Sequence, residues 1–175
     1  MKITRSHVLI ALLIVTASVW AYVQRLERHD QAVAEPEPYS LIEEGLYQGG
    51  RVAEPPPGTR AVLNLTDAAD LYECEPHRWE PIRDAAPAPD LEWLRTMVRF
   101  VEEQRGEGKI TYVHCFAGVS RSGMVLVAYE MQKHGWTRDE ALAFVRTKRP
   151  ATNPNPAFMR LLLEWEEELR SGAQR

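Results

Sequence analysis

Cys115 and Arg121 stand six positions apart in "YVHCFAGVSRSG", the stretch from Tyr112 to Gly123. Only small or apolar residues and one serine separate them; His114 precedes the thiol and Ser122 follows the guanidinium. The stretch joins an apolar run, "ITYVH", to a second one, "SGMVLVAYEMQKHG". A buried strand leading into a buried helix is the usual place for a ligand in an open α/β sheet. The first N–H groups of such a helix have no intrahelical partners, and its dipole adds partial positive charge. Gly118 allows a tight turn, so successive N–H groups can converge on one anion. Arg121 adds a planar fork of donors that fits phosphate in two-point contact. The same field acts on the thiol: a free cysteine has a pKa of about 8.5, and helix N-termini or cations lower it to about 3.5–7.5. The thiolate is the nucleophilic form. A lone cysteine ending a strand is ordinarily a small core residue; the joint pattern is what separates Cys115 from that reading. A tetrahedral-anion cradle with a nucleophile aimed into it suits phosphoryl transfer to sulfur. It is not a nucleotide P-loop, because the Gly-Lys-Ser/Thr ending is absent.

The elements that must position this loop alternate in period. "GLYQGG" offers a short strand, Ala61 to Leu65 a compact buried one, and Trp79 to Ile82 a third. Asp90 is a good N-cap for a helix with Leu91, Leu94, Met97, Val98 and Val101 on one face, stopped by the glycines of "RGEGK". After the loop's own helix, "TRDE" is a capping box, with Thr137 as N-cap and Glu140 at the third helical position. "NPNPAF" introduces a last amphipathic helix through Phe158, Leu161, Leu162 and Trp165. Strands alternating with helices predict an α/β fold with a central, largely parallel sheet flanked by helices.

The 175 residues carry a formal net charge of −4, which gives no sign of a nucleic-acid partner. Two cysteines, Cys74 and Cys115, are too few for a disulfide framework and lack zinc-ligand spacing. The N-terminus is distinct: an apolar run from Val8 to Val23 lies between Lys2/Arg5 and Arg25/Arg28. A membrane-spanning helix needs roughly 20 apolar residues, with about 17 as the lower limit. Residues 1–26 therefore read as a hydrophobic helix, a single-pass membrane anchor or a secretory signal segment. Residues 27–38, with "AEPEP", read as a linker, and 39–171 as one catalytic domain.

The loop resembles the signature of the cysteine-based protein tyrosine phosphatases, His-Cys-x5-Arg-Ser/Thr, and "HCFAGVSRS" resembles the dual-specificity branch most. "GLYQGG", "AVLNLTD" and "FVRTKRPATNPNPAFMRLLLEWEEEL" are similar to the family's opening strands and closing helices. Gly123 departs from the alanine or threonine more usual there. The resemblance implies that Cys115 attacks phosphorus and that Arg121, with the N–H groups of Phe116, Ala117, Gly118, Val119, Ser120 and Arg121 itself, binds the oxygens. It further implies that Ser122 eases departure of the sulfur and that His114 orients the loop.

Such chemistry needs a general acid for the leaving oxygen. Upstream candidates are Asp67, Asp70, Asp84 and Asp90. Asp90 is explained as a helix cap, and Asp67 and Asp70 can form a turn after their strand. The family's acid lies on a mobile loop in the context that Asp84 occupies, so Asp84 is assigned. Tyr72 and Trp79 are candidates for the pocket entrance, and Cys74 for a protective disulfide with Cys115, although packing or no role is the plainer reading of each. The implied function is a phosphomonoester hydrolase, a protein tyrosine or dual-specificity phosphatase. A phospholipid or phosphoinositide phosphatase and a non-catalytic phospho-binding module are the alternatives. No cofactor or catalytic metal is expected. The implied partners are a phosphorylated protein or lipid and, through the N-terminal segment, a membrane. A reducing compartment suits the thiol, which favours a cytoplasmic domain; cleavage of the segment would make it secreted or periplasmic.

Overall fold

In the computed structural model, residues 16–21 and 38–172 are described. The expected N-terminal hydrophobic helix falls mostly outside them: residues 16–21 are helical. Among the described residues no helix is long and apolar enough to cross a membrane.

The domain from Tyr39 onward is built on five strands: β1 (Tyr39–Glu43), β2 (Leu46–Gly49), β3 (Ala61–Asn64), β4 (His77–Trp79) and β5 (Thr111–His114). Their order in the sheet is β1-β2-β5-β3-β4. β1 and β2 form an antiparallel hairpin, and every other pairing is parallel. β3 and β5 are buried at all four positions, as strands covered on both faces must be. Four helices complete this domain: α1 (Leu91–Gly106), α2 (Arg121–His134), α3 (Arg138–Lys148) and α4 (Pro156–Gly172). The largely parallel α/β sheet is thus as expected.

Register decides where the site lies. Gly49 and Asn64 both pair with His114, so β2, β5 and β3 end level with one another at their C-terminal edge. The chain leaves β5 into the Cys115 loop at that edge and returns as α2, whose residues from Ser122 to Met131 are all buried. The amphipathic helices close around α2. Asp90 caps α1, accepting from Trp93 N at 2.8 Å, and Thr137 and Glu140 form the complete capping box of α3. Trp165 Nε1 donates to Ala128 O at 3.0 Å, fastening α4 onto α2.

Two elements differ from the sequence reading. β1 was not anticipated, because an edge strand buries only Ile42 fully and so carries little alternation. β4 covers His77–Trp79 rather than Trp79 to Ile82. Glu80 N and Ile82 N still reach Asn64 O and Leu65 O, at 2.9 and 3.5 Å. Pro81 between them has no N–H, so the ladder cannot continue.

Candidate active site

Within the loop from Cys115 to Ser120, the carbonyls of Phe116 to Val119 turn outward, each to a partner. Phe116 O accepts from Arg51 N at 2.9 Å, and Val119 O from Asn153 N at 3.0 Å. Ala117 O accepts from Arg149 Nη2 at 3.3 Å. Gly118 O accepts from Arg149 Nε at 2.7 Å and from Gln48 Nε2 at 3.1 Å. With the carbonyls held outside, the loop's N–H groups face its interior. Gly118 makes this possible: its φ is +68°, and a Cβ there would lie 2.3 Å from Gly49 C. Gly123 is explained by the same crowding, since a Cβ on it would lie 2.8 Å from Thr152 Cγ2.

The start of α2 is left open for an anion. Ser120 is its N-cap, yet makes no side-chain cap bond, and the first turn holds no acidic residue. Arg121 Nη1 donates to Leu65 O and Ile82 O, both at 3.3 Å. Its Nε is buried without a hydrogen-bond partner, an orphan donor on the side of the fork that an oxyanion would satisfy.

Cys115 is 2% exposed. Burial works against ionisation of its thiol. The hydrogen bond with the Ser122 hydroxyl, the N–H groups of Ser122 and Val119, and the Arg121 charge outweigh it, so the pKa lies below the ordinary thiol value. The Sγ···Oγ distance to Ser122 is 3.5 Å. Cys74 is the opposite case: burial and the nearby Glu75 push its thiol up. Both cysteines are free.

Asp84 is exposed at the loop's mouth. Its Oδ1 accepts from Ser120 Oγ at 2.6 Å and from Asn155 Nδ2 at 2.8 Å. Asn155 serves two elements at once. It precedes Pro156 at the start of α4, where its Oδ1 accepts from Ala157 N and Phe158 N at 2.9 and 3.1 Å. Proline at the first helical position after such a cap is a helix-start pattern.

His114 sits beneath the loop, fully buried. Its ring stacks on Tyr112 with centroids 5.0 Å apart, and its Nε2 lies 3.0 Å from Asp70 Oδ2. The same oxygen is 3.0 Å from His77 Nε2. Burial raises the Asp70 pKa, but the hydrogen bonds and charge of His114 and His77 more than offset this and hold it below the usual value. The turn-former reading of Asp70 is therefore corrected: it links His77 of β4 to His114, the residue before Cys115. Trp79 is half exposed, with its Nε1 donating to Thr66 O at 2.7 Å. The Tyr72 hydroxyl is buried without a hydrogen-bond partner.

Sequence reasoning missed Arg149, Gln48 and Asn155. Asn155 was within reach, because "NPNPAF" announces a helix start whose cap could also face the loop. Arg149 and Gln48 carry no local sign. Among the described residues, no group of three potential metal ligands falls at this loop.

Residues 58–168 match the family described as dual specificity phosphatase, catalytic domain. Dual specificity protein phosphatase 1 of Arabidopsis thaliana is 34% identical over 143 residues, spanning 77% of this chain and 72% of that protein. Protein phosphatase Slingshot homolog 2 of Homo sapiens is 34% identical over 120 residues, 67% of this chain but 8% of that much longer protein. Among solved structures, a mouse dual specificity phosphatase complexed with zinc tungstate superposes with a TM-score of 0.72 at 26% identity. The match covers 80% of this chain and 93% of that one. The chain therefore belongs to the dual specificity phosphatase family and carries its cysteine-dependent phosphatase domain.

Proposed function

We propose that this chain hydrolyses phosphomonoesters in two steps through a cysteinyl-phosphate at Cys115. The observation that carries this reading is the loop itself, which combines outward-tied carbonyls, an orphaned Arg121 Nε and a buried thiol of lowered pKa. The tungstate bound by the mouse relative is a tetrahedral oxyanion, the shape this cradle fits.

In the first step the Cys115 thiolate attacks phosphorus. The N–H groups of Phe116 to Arg121 and the Nε side of Arg121 hold the non-bridging oxygens, while Asp84 protonates the departing oxygen. Both bonds to Asp84 fall on Oδ1, which leaves Oδ2 to carry the proton. In the second step Asp84, now a carboxylate, takes a proton from water as that water attacks phosphorus. The sulfur leaves as thiolate, stabilised by the Ser122 hydroxyl. His114, held by Asp70, fixes the start of the loop.

A phosphorylated protein is the assigned substrate. A phospholipid headgroup is the second reading, favoured by Phe116: the residue after the nucleophile is 68% exposed, an apolar group where the remainder of a substrate must lie. The apolar run from Val8 to Val23 is assigned as a membrane anchor for the domain. Cys115→Ser is expected to abolish hydrolysis of p-nitrophenyl phosphate while retaining tungstate binding. Undiminished turnover by that variant would reject the nucleophile. Phosphopeptides compared with detergent-dispersed phosphoinositides decide between the substrates, and extraction of the full chain by alkaline carbonate would remove the anchor from the account.

A further inference from the structure

The catalytic loop occupies the N-terminal end of α2. At the helix's other end, about 20 Å away at 1.5 Å per residue, lies a second cluster of titratable groups. Glu130 and His134 are four residues apart and share one face of α2. Glu43, the last residue of β1, joins them. One ligand atom from each of the three lies within 4.8 Å of the other two.

Glu130 makes this cluster more than a patch of surface acid. It is 0% exposed, and neither of its carboxylate oxygens has a hydrogen-bond partner. Its ion-pair neighbour is His134, with Nε2 3.2 Å from Oε2, outside hydrogen-bonding geometry. Burial and the charge of Glu43 push the Glu130 carboxyl up to about 7, and Lys133 only partly offsets them. The Glu130 carboxyl thus faces Glu43 with no hydrogen-bond donor of its own, while the Tyr129 hydroxyl and Lys133 both serve Glu43. Glu43 is reachable from solvent through a cavity of about 440 Å³, which Tyr129, Lys133 and Arg105 also line. The His134 ring is already oriented, stacked on Trp136 with centroids 4.2 Å apart.

We propose that Glu43, Glu130 and His134 form a binding site for a divalent transition-metal cation of the zinc type, separate from the phosphatase centre. The donor set decides the class. Magnesium and calcium prefer all-oxygen surroundings, whereas two carboxylates with one imidazole suit zinc and its neighbours. Zinc at roughly 2.0–2.2 Å from tetrahedral ligands sets them about 3.4 Å apart, close to the present Glu130–His134 spacing of 3.2 Å. Glu43 completes the set by exchanging Lys133 for the metal at Oε2, while Oε1 keeps the Tyr129 hydroxyl 3.0 Å away. The Lys133 side chain is 40% exposed and moves into water. The fourth position is left to water. The site joins the edge strand β1 to the end of the central helix, so the metal acts as a clamp on the fold and takes no part in phosphoryl transfer.

The test uses the full chain with Cys74→Ser and Cys115→Ser, so that no thiol competes, titrated calorimetrically with zinc chloride alone. One zinc per chain and a rise in melting temperature are expected, with magnesium producing neither. Glu130→Gln and His134→Ala should each weaken zinc binding at least tenfold, and Lys133→Met should tighten it. Glu130→Gln removes a charge from the core and is checked for folding by circular dichroism. His134→Ala reports from the solvent side if the first variant unfolds. Absence of saturable binding, or binding that both substitutions leave unchanged, overturns the site.

Discussion

The Ser120 hydroxyl donates to Asp84 Oδ1 at 2.6 Å across 36 residues of sequence. The loop proposed to cradle the anion therefore also holds the proposed acid, and Asn155 Nδ2 donates to the same oxygen at 2.8 Å. The proposed nucleophile, cradle and acid are not three sites brought near one another; they are joined by hydrogen bonds within and from one loop.

Asp84→Asn keeps those hydrogen bonds but cannot supply a proton. Turnover is expected to fall by about 10²–10⁴-fold, the usual span for general acid–base catalysis. The loss should be larger for phenyl phosphate, whose leaving group needs the proton, than for p-nitrophenyl phosphate. Equal losses on the two esters would remove Asp84 from the acid role.

The thiolate is the form that reacts, so reactivity of Cys115 rises as pH rises through its pKa. That pKa is held below the ordinary thiol value, despite burial, chiefly by the Ser122 hydroxyl. The midpoint of a pH–rate profile for alkylation by iodoacetamide is expected below about 8.5, the free-thiol value. Ser122→Ala should move it upward. A midpoint at or above the free-thiol value, or one indifferent to Ser122→Ala, contradicts the electrostatic account.

Arg149 is 3% exposed and donates to two carbonyls of the loop and to Ser40 Oγ. Arg149→Met leaves Ala117 O without this donor and Gly118 O with Gln48 Nε2 alone; a buried acceptor left unsatisfied costs about 1–3 kcal/mol. Thermal unfolding should register the loss, and tungstate affinity should fall with it because the loop's N–H groups lose their alignment. A destabilised variant that still binds tungstate normally would show that the loop holds its shape without the guanidinium.

Asp70 predicts a pH dependence of stability. Its folded-state pKa is depressed, because the hydrogen bonds and charge of His114 and His77 outweigh burial. The stabilisation is thus complete above the unfolded value of about 3.9 and is lost as pH falls through the folded value. Asp70→Asn is expected to cost about 1.5–3 kcal/mol near neutrality, the range for hydrogen bonds to charged groups. The gap from the parent protein should shrink in acid. Denaturant titrations at several pH values measure it, and a gap independent of pH would contradict the charged pairing.

What could be read from the sequence was what lies close together in it. Cys115, Gly118, Arg121 and Ser122 form one turn, so their types and spacing already imply an anion cradle, and β3, β5 and α2 are legible because burial on all sides leaves unbroken apolar runs. Asp84 was reached through family resemblance: local signals set Asp90 aside as a helix cap and Asp67 and Asp70 as turn formers, but nothing local marked Asp84 as an acid. Arg149 acts across 31 residues and Gln48 across 70, and no periodicity encodes a contact of that kind. Asp70 looked like a turn former because it follows a strand. The turn instead carries it under the end of β5, a consequence of sheet order that only the fold supplies.

The central claim is that phosphate passes through Cys115, and trapping tests it most directly. The full chain is mixed with p-nitrophenyl phosphate, quenched in acid within one turnover and digested for mass spectrometry. The account predicts a rapid release of p-nitrophenol approaching one equivalent per chain, with one phosphoryl group on the peptide containing Cys115. Turnover without that adduct, or with phosphate on any other residue, would contradict it.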